Sequence, residues 1–213
     1  LMELATAAQT SLFETGASLA NGVVYRPAFL TEEEERDIIA WIADLPLEHG
    51  RLGEYTAKRR VIGFGWGYDF REHRLVPGPP LPPPLHSPAR KIAKWLDIPY
   101  VRVAEALITE YPKGAAIGWH RDNESFEHIV GISLSGHCRM RLRPLSWRVR
   151  GRRRTRDDVI VLPLAPRSAY IMQHESRWEY QHSVSPVEEL RYSITFRTLP
   201  KGVMPSRLTR SRP

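Results

Sequence analysis

From residue 102 onward the chain alternates apolar and polar side chains with a period of two, whereas the segment before residue 97 carries two stretches with helical signals. The alternating runs predict strands at 102–111, 117–122, 129–135, 138–143, 158–162, 168–173, 179–184 and 190–198, joined by short turns. TEEEERDIIAWIADL opens with Thr31 three residues before Glu34, a capping box, and its four acids fall where the helix dipole favours them. That predicts a helix from Glu32 to Asp44. Seven prolines between Pro77 and Pro88 exclude regular structure there, and Ser87 followed by Pro88 supplies an N-cap and first residue for a second helix ending near Leu96. Two helices followed by eight strands imply a mainly β protein with flanking helices, built as a sandwich or barrel. Residues 1–20, small and polar, read as a loosely ordered N-terminal arm, and 200–213 as a basic tail.

Composition narrows the class. The 213 residues are 42% hydrophobic and 26% charged, which fits one globular domain and excludes disorder of the whole chain. No apolar run approaches the roughly 18 residues of a membrane span, and the single Cys138 cannot form an internal disulfide. The first 25 residues lack Lys and Arg, which argues against a secretory signal or transit peptide, so a reducing cytoplasm is the expected location. The net charge of +7 is local: residues 139–156 hold nine arginines and no acid, leaving 22 bases against 24 acids elsewhere. Arginine outnumbers lysine 26 to 5, a bias that fits planar recognition of phosphate or carboxylate and equally fits a GC-rich genome. The stretch predicts a basic hairpin, either a phosphate-binding finger or a solvated loop.

Candidate chemistry starts at GWHRDNE, residues 118–124, where His120 and Asp122 share a face if the strand is extended. In RWEYQHSV, residues 177–184, Trp178, Tyr180, His182 and Val184 share a face, so His182 is expected inside, bound to a metal or to a backbone carbonyl. His174 competes for the ligand role, although HESR reads as a turn. Two histidines and one carboxylate leave three octahedral positions open, as in non-haem Fe(II) oxygenases, where a bidentate 2-oxo acid and dioxygen can bind. Such an oxo acid needs a cation for its distal carboxylate. In RYSITFR, Arg191, Ser193, Thr195 and Arg197 face one way, and arginines on a buried face are costly unless anions pair with them.

ALITEYPKGAAIGWHRDNE, AYIMQHESRWEYQHSV and RYSITFR, in that order across about residues 61–198, resemble the AlkB family of Fe(II) and 2-oxoglutarate dependent dioxygenases. The resemblance implies a double-stranded β-helix (jelly-roll) core over residues 21–199, with a lid at about 51–75 and the basic hairpin at 139–156. It implies His120, Asp122 and His182 as iron ligands, Arg191 and Tyr111 on the distal carboxylate of 2-oxoglutarate, and dioxygen as second cosubstrate. Thr109 and Ser193 stand where the family commonly has Asn, which leaves their contacts with 2-oxoglutarate open. Arg197 matches the family's second arginine, yet six strand residues span roughly 20 Å, too far to share one carboxylate with Arg191 unless a side chain leans back. It is assigned to the active-site region, with a structural role as the alternative.

In VIGFGWGYDF, Phe64, Trp66, Tyr68 and Phe70 form an aromatic row opposite Gly63, Gly65 and Gly67. The row is either a core strand or, as the resemblance implies, a nucleotide-recognition lid with Trp66 and Tyr68 stacking on a base. Glu124 matches the position of a family acid that contacts the flipped base. The expected activity is oxidative dealkylation of N-alkylated or etheno-adducted nucleobases, by a monomer acting on nucleic acid with no membrane partner. The alternatives are a protein or tRNA hydroxylase of the same iron class, and a nucleic-acid binding module with a silent β-helix.

Overall fold

Alternation along the last strand sorts its side chains between a helix-covered core and a cavity. A computed structural model describes residues 18–19, 22–52, 55–69, 71–146, 148–149 and 151–203; most of the expected arm, and the tail from 204, lie outside them. The strands are β1 (Ser18–Leu19), β2 (Val23–Arg26), β3 (Glu48–Leu52), β4 (Tyr55–Asp69), β5 (Arg74–Pro77), β6 (Val103–Tyr111), β7 (Ile117–His120) and β8 (Ile129–Leu134). They continue with β9 (Cys138–Pro144), β10 (Arg148–Val149), β11 (Arg152–Arg153), β12 (Ile160–Leu164), β13 (Ala169–Met172), β14 (Tyr180–Val184) and β15 (Arg191–Thr198). The helices are α1 (Glu32–Ala43), α2 (His86–Leu96) and α3 (His174–Trp178).

The large sheet runs β1-β2-β13-β8-β15-β6-β4-β3, with β5 paired to β4, and the small sheet runs β12-β9-β14-β7. Tyr192, Ile194 and Phe196 of β15, Ala106 and Ile108 of β6, and Val130, Ile132 and Leu134 of β8 pack against Ile38 and Ile42 of α1 and Ala89 and Ile92 of α2. Residues of opposite parity on β6 and β15 line a cavity that the small sheet closes from the other side. The two sheets form a jelly roll, as the resemblance implies. At Gly131 a Cβ would lie 2.3 Å from the ring of Tyr170, so only glycine lets that ring cross β8. No helix among the described residues is long and apolar enough to cross a membrane.

The α1 capping box is present: Glu34 N–H donates to Thr31 Oγ1 at 3.1 Å and Thr31 N–H to Glu34 Oε2 at 2.9 Å. Four expectations need correction. Helix α2 begins at His86 rather than after an N-cap at Ser87, because a 3₁₀ turn at Pro83–Leu85 runs straight into it, so the proline stretch is not wholly irregular. Strand β7 stops at His120, placing Asp122 in the following loop instead of on the same strand face. HESR forms the short helix α3, which removes Trp178 from the face of His182 and leaves it exposed. The aromatic row of β4 is broken at Gly65, which has φ +82° and whose Cβ would sit 2.0 Å from the Ala104 carbonyl oxygen. There β4 leaves β6 and pairs with β5, so Phe64 packs on the helix side while Trp66 enters a separate cluster with Ala104 and Leu199. Phe70 lies outside the described residues.

Candidate active site

Three elements bring the metal-type donors together. His120 at the end of β7 pairs across the small sheet with His182 of β14, and their ring centroids are 4.1 Å apart. Asp122, two residues on, folds back so that His120, Asp122 and His182 each offer one donor atom within 4.8 Å of the others. His120 Nδ1 lies 2.9 Å from the Gly118 carbonyl, which holds the ring proton there and leaves Nε2 as a donor of electrons. The loop is clamped from below by the fully buried Arg177, which donates to the carbonyls of Asn123 at 2.6 Å and Phe126 at 2.8 Å, and to that of Asp122 at 3.4 Å. His174 sits exposed at the start of α3 and takes no part in the cluster.

The two oxygens of Asp122 are unequal. Oδ1 accepts from Arg197 Nε at 2.9 Å and also from Nη2. Oδ2 is buried, lies 3.2 Å from His182 Nε2 and accepts no hydrogen bond. A buried carboxylate oxygen left without a donor, facing two imidazoles, is what a bound divalent cation would satisfy, and two nitrogens with one oxygen suit Fe(II). Burial alone would raise the Asp122 pKa, but Arg197 and then the two histidines more than offset it, holding the carboxyl well below the usual range. Burial pushes His182 down to about 4 against the opposing pull of Asp122, so it is neutral and able to coordinate at physiological pH.

At the other end of the cavity Arg191 is 2% exposed, paired in register with Tyr111, its guanidinium 5.0 Å from that ring's centroid. Arg191 Nε donates to Ser133 Oγ at 3.0 Å, while Nη1 is buried with no partner. An unpaired buried guanidinium calls for an anion, and a carboxylate fits it. Thr109 and Ser193, cross-strand neighbours, line the cavity from the large sheet with Tyr170, while Leu164 and Val184 line it from the small sheet. The cavity measures about 460 Å³.

Arg197 stands apart from Arg191: besides Asp122 it holds Glu105, with Nη1 donating to Oε2 at 2.8 Å. Sequence reasoning missed Glu105, although it shares the parity of Leu107, Thr109 and Tyr111 on β6, and it missed Arg177 because α3 reads as a turn. Tyr68 lines the cavity and its mouth, together with Arg121 and Asn123. Glu124 lies at the rim, exposed and paired with Arg121. Trp66 is buried outside the cavity lining, because the break at Gly65 turns it away.

Among curated proteins none matches the sequence. A structure of OsALKBH1 superposes with a TM-score of 0.63 at 16% identity, covering 85% of this chain and 98% of its own. A 2OG-Fe(II) oxygenase family oxidoreductase from Burkholderia pseudomallei superposes with a TM-score of 0.57 at 21% identity, covering 86% and 88%. Both share the fold. A family model described as the 2OG-Fe(II) oxygenase superfamily matches residues 22–197. With that match and a donor set that suits iron, the chain belongs to the 2OG-Fe(II) oxygenase superfamily, as a dioxygenase that uses Fe(II), 2-oxoglutarate and dioxygen.

Proposed function

We propose that the protein oxidatively removes alkyl or etheno groups from nucleobase nitrogens, with His120, Asp122 and His182 holding Fe(II) and Arg191 and Tyr111 holding the distal carboxylate of 2-oxoglutarate. With both bound, the site couples decarboxylation of the oxo acid by dioxygen to hydroxylation of the alkyl carbon, which then leaves as an aldehyde. Arg197 keeps Asp122 ionised and turns Oδ2 toward the two imidazoles. Arg191 supplies the buried positive charge that selects a dicarboxylate, and Thr109 and Ser193 offer hydroxyls along its path. Tyr170 and Leu164 line the same cavity from the large and the small sheet.

The observation that carries the nucleobase reading is the mouth. Tyr68 from β4, and Asn123 and Glu124 from the loop after β7, converge on its open side. A planar base entering there finds a ring to stack on and a carboxylate to accept from an exocyclic N–H. Stacking of this kind contributes about 1–3 kcal/mol per base, comparable to the cost of unstacking a damaged one. Trp66 is not part of this reading, since it is buried elsewhere. The test is anaerobic loading with Fe(II) and 2-oxoglutarate, then oxygen exposure with a panel of alkylated oligonucleotides. Aldehyde and succinate in equal amounts are expected; turnover only with a protein or an intact tRNA would replace the base-repair reading.

A further inference from the structure

Arg139, Arg141 and Arg143 alternate along β9 with the inward Cys138, Met140 and Leu142, which puts all three guanidiniums on the outer face of the small sheet. Alternate residues of a strand are roughly 7 Å apart, so the three form an evenly spaced row. Neutral groups fix two of them. Arg141 Nε donates to Ser183 Oγ at 3.1 Å, and Arg143 donates to Gln181 Oε1 through Nε at 3.1 Å and Nη2 at 2.8 Å. Both guanidiniums lie over the half-buried ring of Trp119, at 5.1 and 4.2 Å from its centroid. Arg154 approaches from the hairpin and donates to the Pro144 carbonyl.

None of Arg139, Arg141, Arg143 and Arg154 forms an ion pair among the described residues. Burial, then Arg154 and Arg141, push Arg143 below its ordinary range, as crowded like charges do. The hairpin differs: Arg152 is held by both oxygens of Asp158, at 2.8 and 2.7 Å, so the expected finger is partly neutralised from within. Arg150 lies outside the described residues. Trp119 and His120 are chain neighbours facing opposite ways, so this basic row runs along the back of the wall that carries the metal-type donors.

We propose that the outer face of β9, with Arg139 in line with Arg141 and Arg143 over Trp119, binds the phosphate backbone of a single nucleic-acid strand. It rests on the nucleic-acid reading above for its choice of polyanion. A row of fixed cations without acids, beside an aromatic ring, is how proteins track a single strand. Duplex phosphates wind away from a flat row and meet it at fewer points.

The test uses the full chain, a fluorescent unmodified single-stranded oligonucleotide, and affinity measured by anisotropy across a salt series. Each lost single-strand phosphate contact lowers the slope of log affinity against log salt by about 0.7, so Arg139→Gln/Arg141→Gln/Arg143→Gln should lower it by about 2. The corresponding triple Lys variant, which keeps the charge and loses the Nε bonds, should keep the slope. Because Arg141 and Arg143 bond to β14, unchanged 2-oxoglutarate binding serves as the fold control. Should the triple variant unfold, the exposed Arg139→Gln alone should still lower the slope by about 0.7. An unchanged slope in a folded variant, equal sensitivity with a duplex, or equal competition by polyglutamate would overturn the proposal. If the wild type binds no oligonucleotide at all, the nucleic-acid reading of the site falls with it, whereas wild-type binding with an unchanged slope in the variant leaves that reading standing.

Discussion

Arg191 and Arg197 occupy the same strand and point into the same cavity, Arg191 buried and Arg197 partly buried, yet the structure surrounds them in opposite ways. Arg197 is saturated by two carboxylates, Asp122 and Glu105. Arg191 touches a hydroxyl, a ring and the Cys138 thiol, none of them a carboxylate, and keeps one buried nitrogen without a partner. The first is a finished structural pair whose work is to aim a donor atom. The second keeps a buried donor without a partner, costly on its own, which in the proposed function the distal carboxylate of the oxo acid would complete. Identical residues six positions apart thus differ: the anions that satisfy Arg197 belong to the protein, and among the described residues none pairs with Arg191, where the proposed function sets the oxo acid.

The largest effect is expected from breaking the finished pair. Arg197→Met should cost about 3–5 kcal/mol of stability, because it strands the buried Asp122 carboxylate and the partly buried Glu105 carboxylate. In a chain of this size that lowers Tm by about 10 °C, and differential scanning calorimetry checks it. Arg191→Met should do the reverse: Tm of the ligand-free protein stays level or rises, since an unpaired buried charge is removed. Its 2-oxoglutarate affinity should fall by about 2–5 kcal/mol, or 30-fold and more, by isothermal titration. If Arg191→Met destabilises the ligand-free protein as strongly as Arg197→Met, the contrast between the two is wrong.

Acid should sharpen the same contrast, since the Arg197 end holds both His182 and Asp122. Their folded-state pKa values lie below the unfolded ones, so both contribute stability that is present above the unfolded pKa and lost as pH falls. For His182 the loss runs from about 6.5 down to about 4 and amounts to roughly 3 kcal/mol in the metal-free protein. Urea titrations at pH 7 and pH 4.5 measure it, and His182→Leu should flatten the dependence. A steep loss that survives His182→Leu would locate it elsewhere. The smallest effect is expected from Thr109→Val and Ser193→Ala, each removing one hydroxyl worth about 0.5–1.5 kcal/mol if it bonds the oxo acid. A KM for 2-oxoglutarate unchanged in both would show that neither hydroxyl touches it.

Much of this was legible in the sequence where period alone decides. Alternation in RYSITFR sorts Tyr192, Ile194 and Phe196 from the four cavity residues, and the Thr31 and Glu34 pair marks the start of α1. The convergence of His120, Asp122 and His182 was anticipated although its local reasoning was not, since Asp122 reaches the cluster from a loop held by Arg177. Other features depend on contacts that no period encodes. Trp66 leaves the aromatic row because one glycine takes a positive φ where β4 changes partners. Which arginine has an internal anion depends on Glu105, on β6, eighty-six residues before Arg191 in the chain and adjacent to Arg197 only through sheet register. Likewise the split of the arginine stretch into a row on β9 without ion pairs and a hairpin whose Arg152 is paired follows from Asp158 folding back, just beyond the stretch itself.

The most direct test of the two-arginine account is the visible charge-transfer band formed when 2-oxoglutarate chelates Fe(II) in the anaerobic protein. Wild type should develop the band on adding the oxo acid, His182→Ala should lose it, and Arg191→Met should require at least 30-fold more 2-oxoglutarate to reach the same intensity. A band of full strength in Arg191→Met at the wild-type concentration would mean that the unpaired guanidinium waits for some other anion, and would contradict the account.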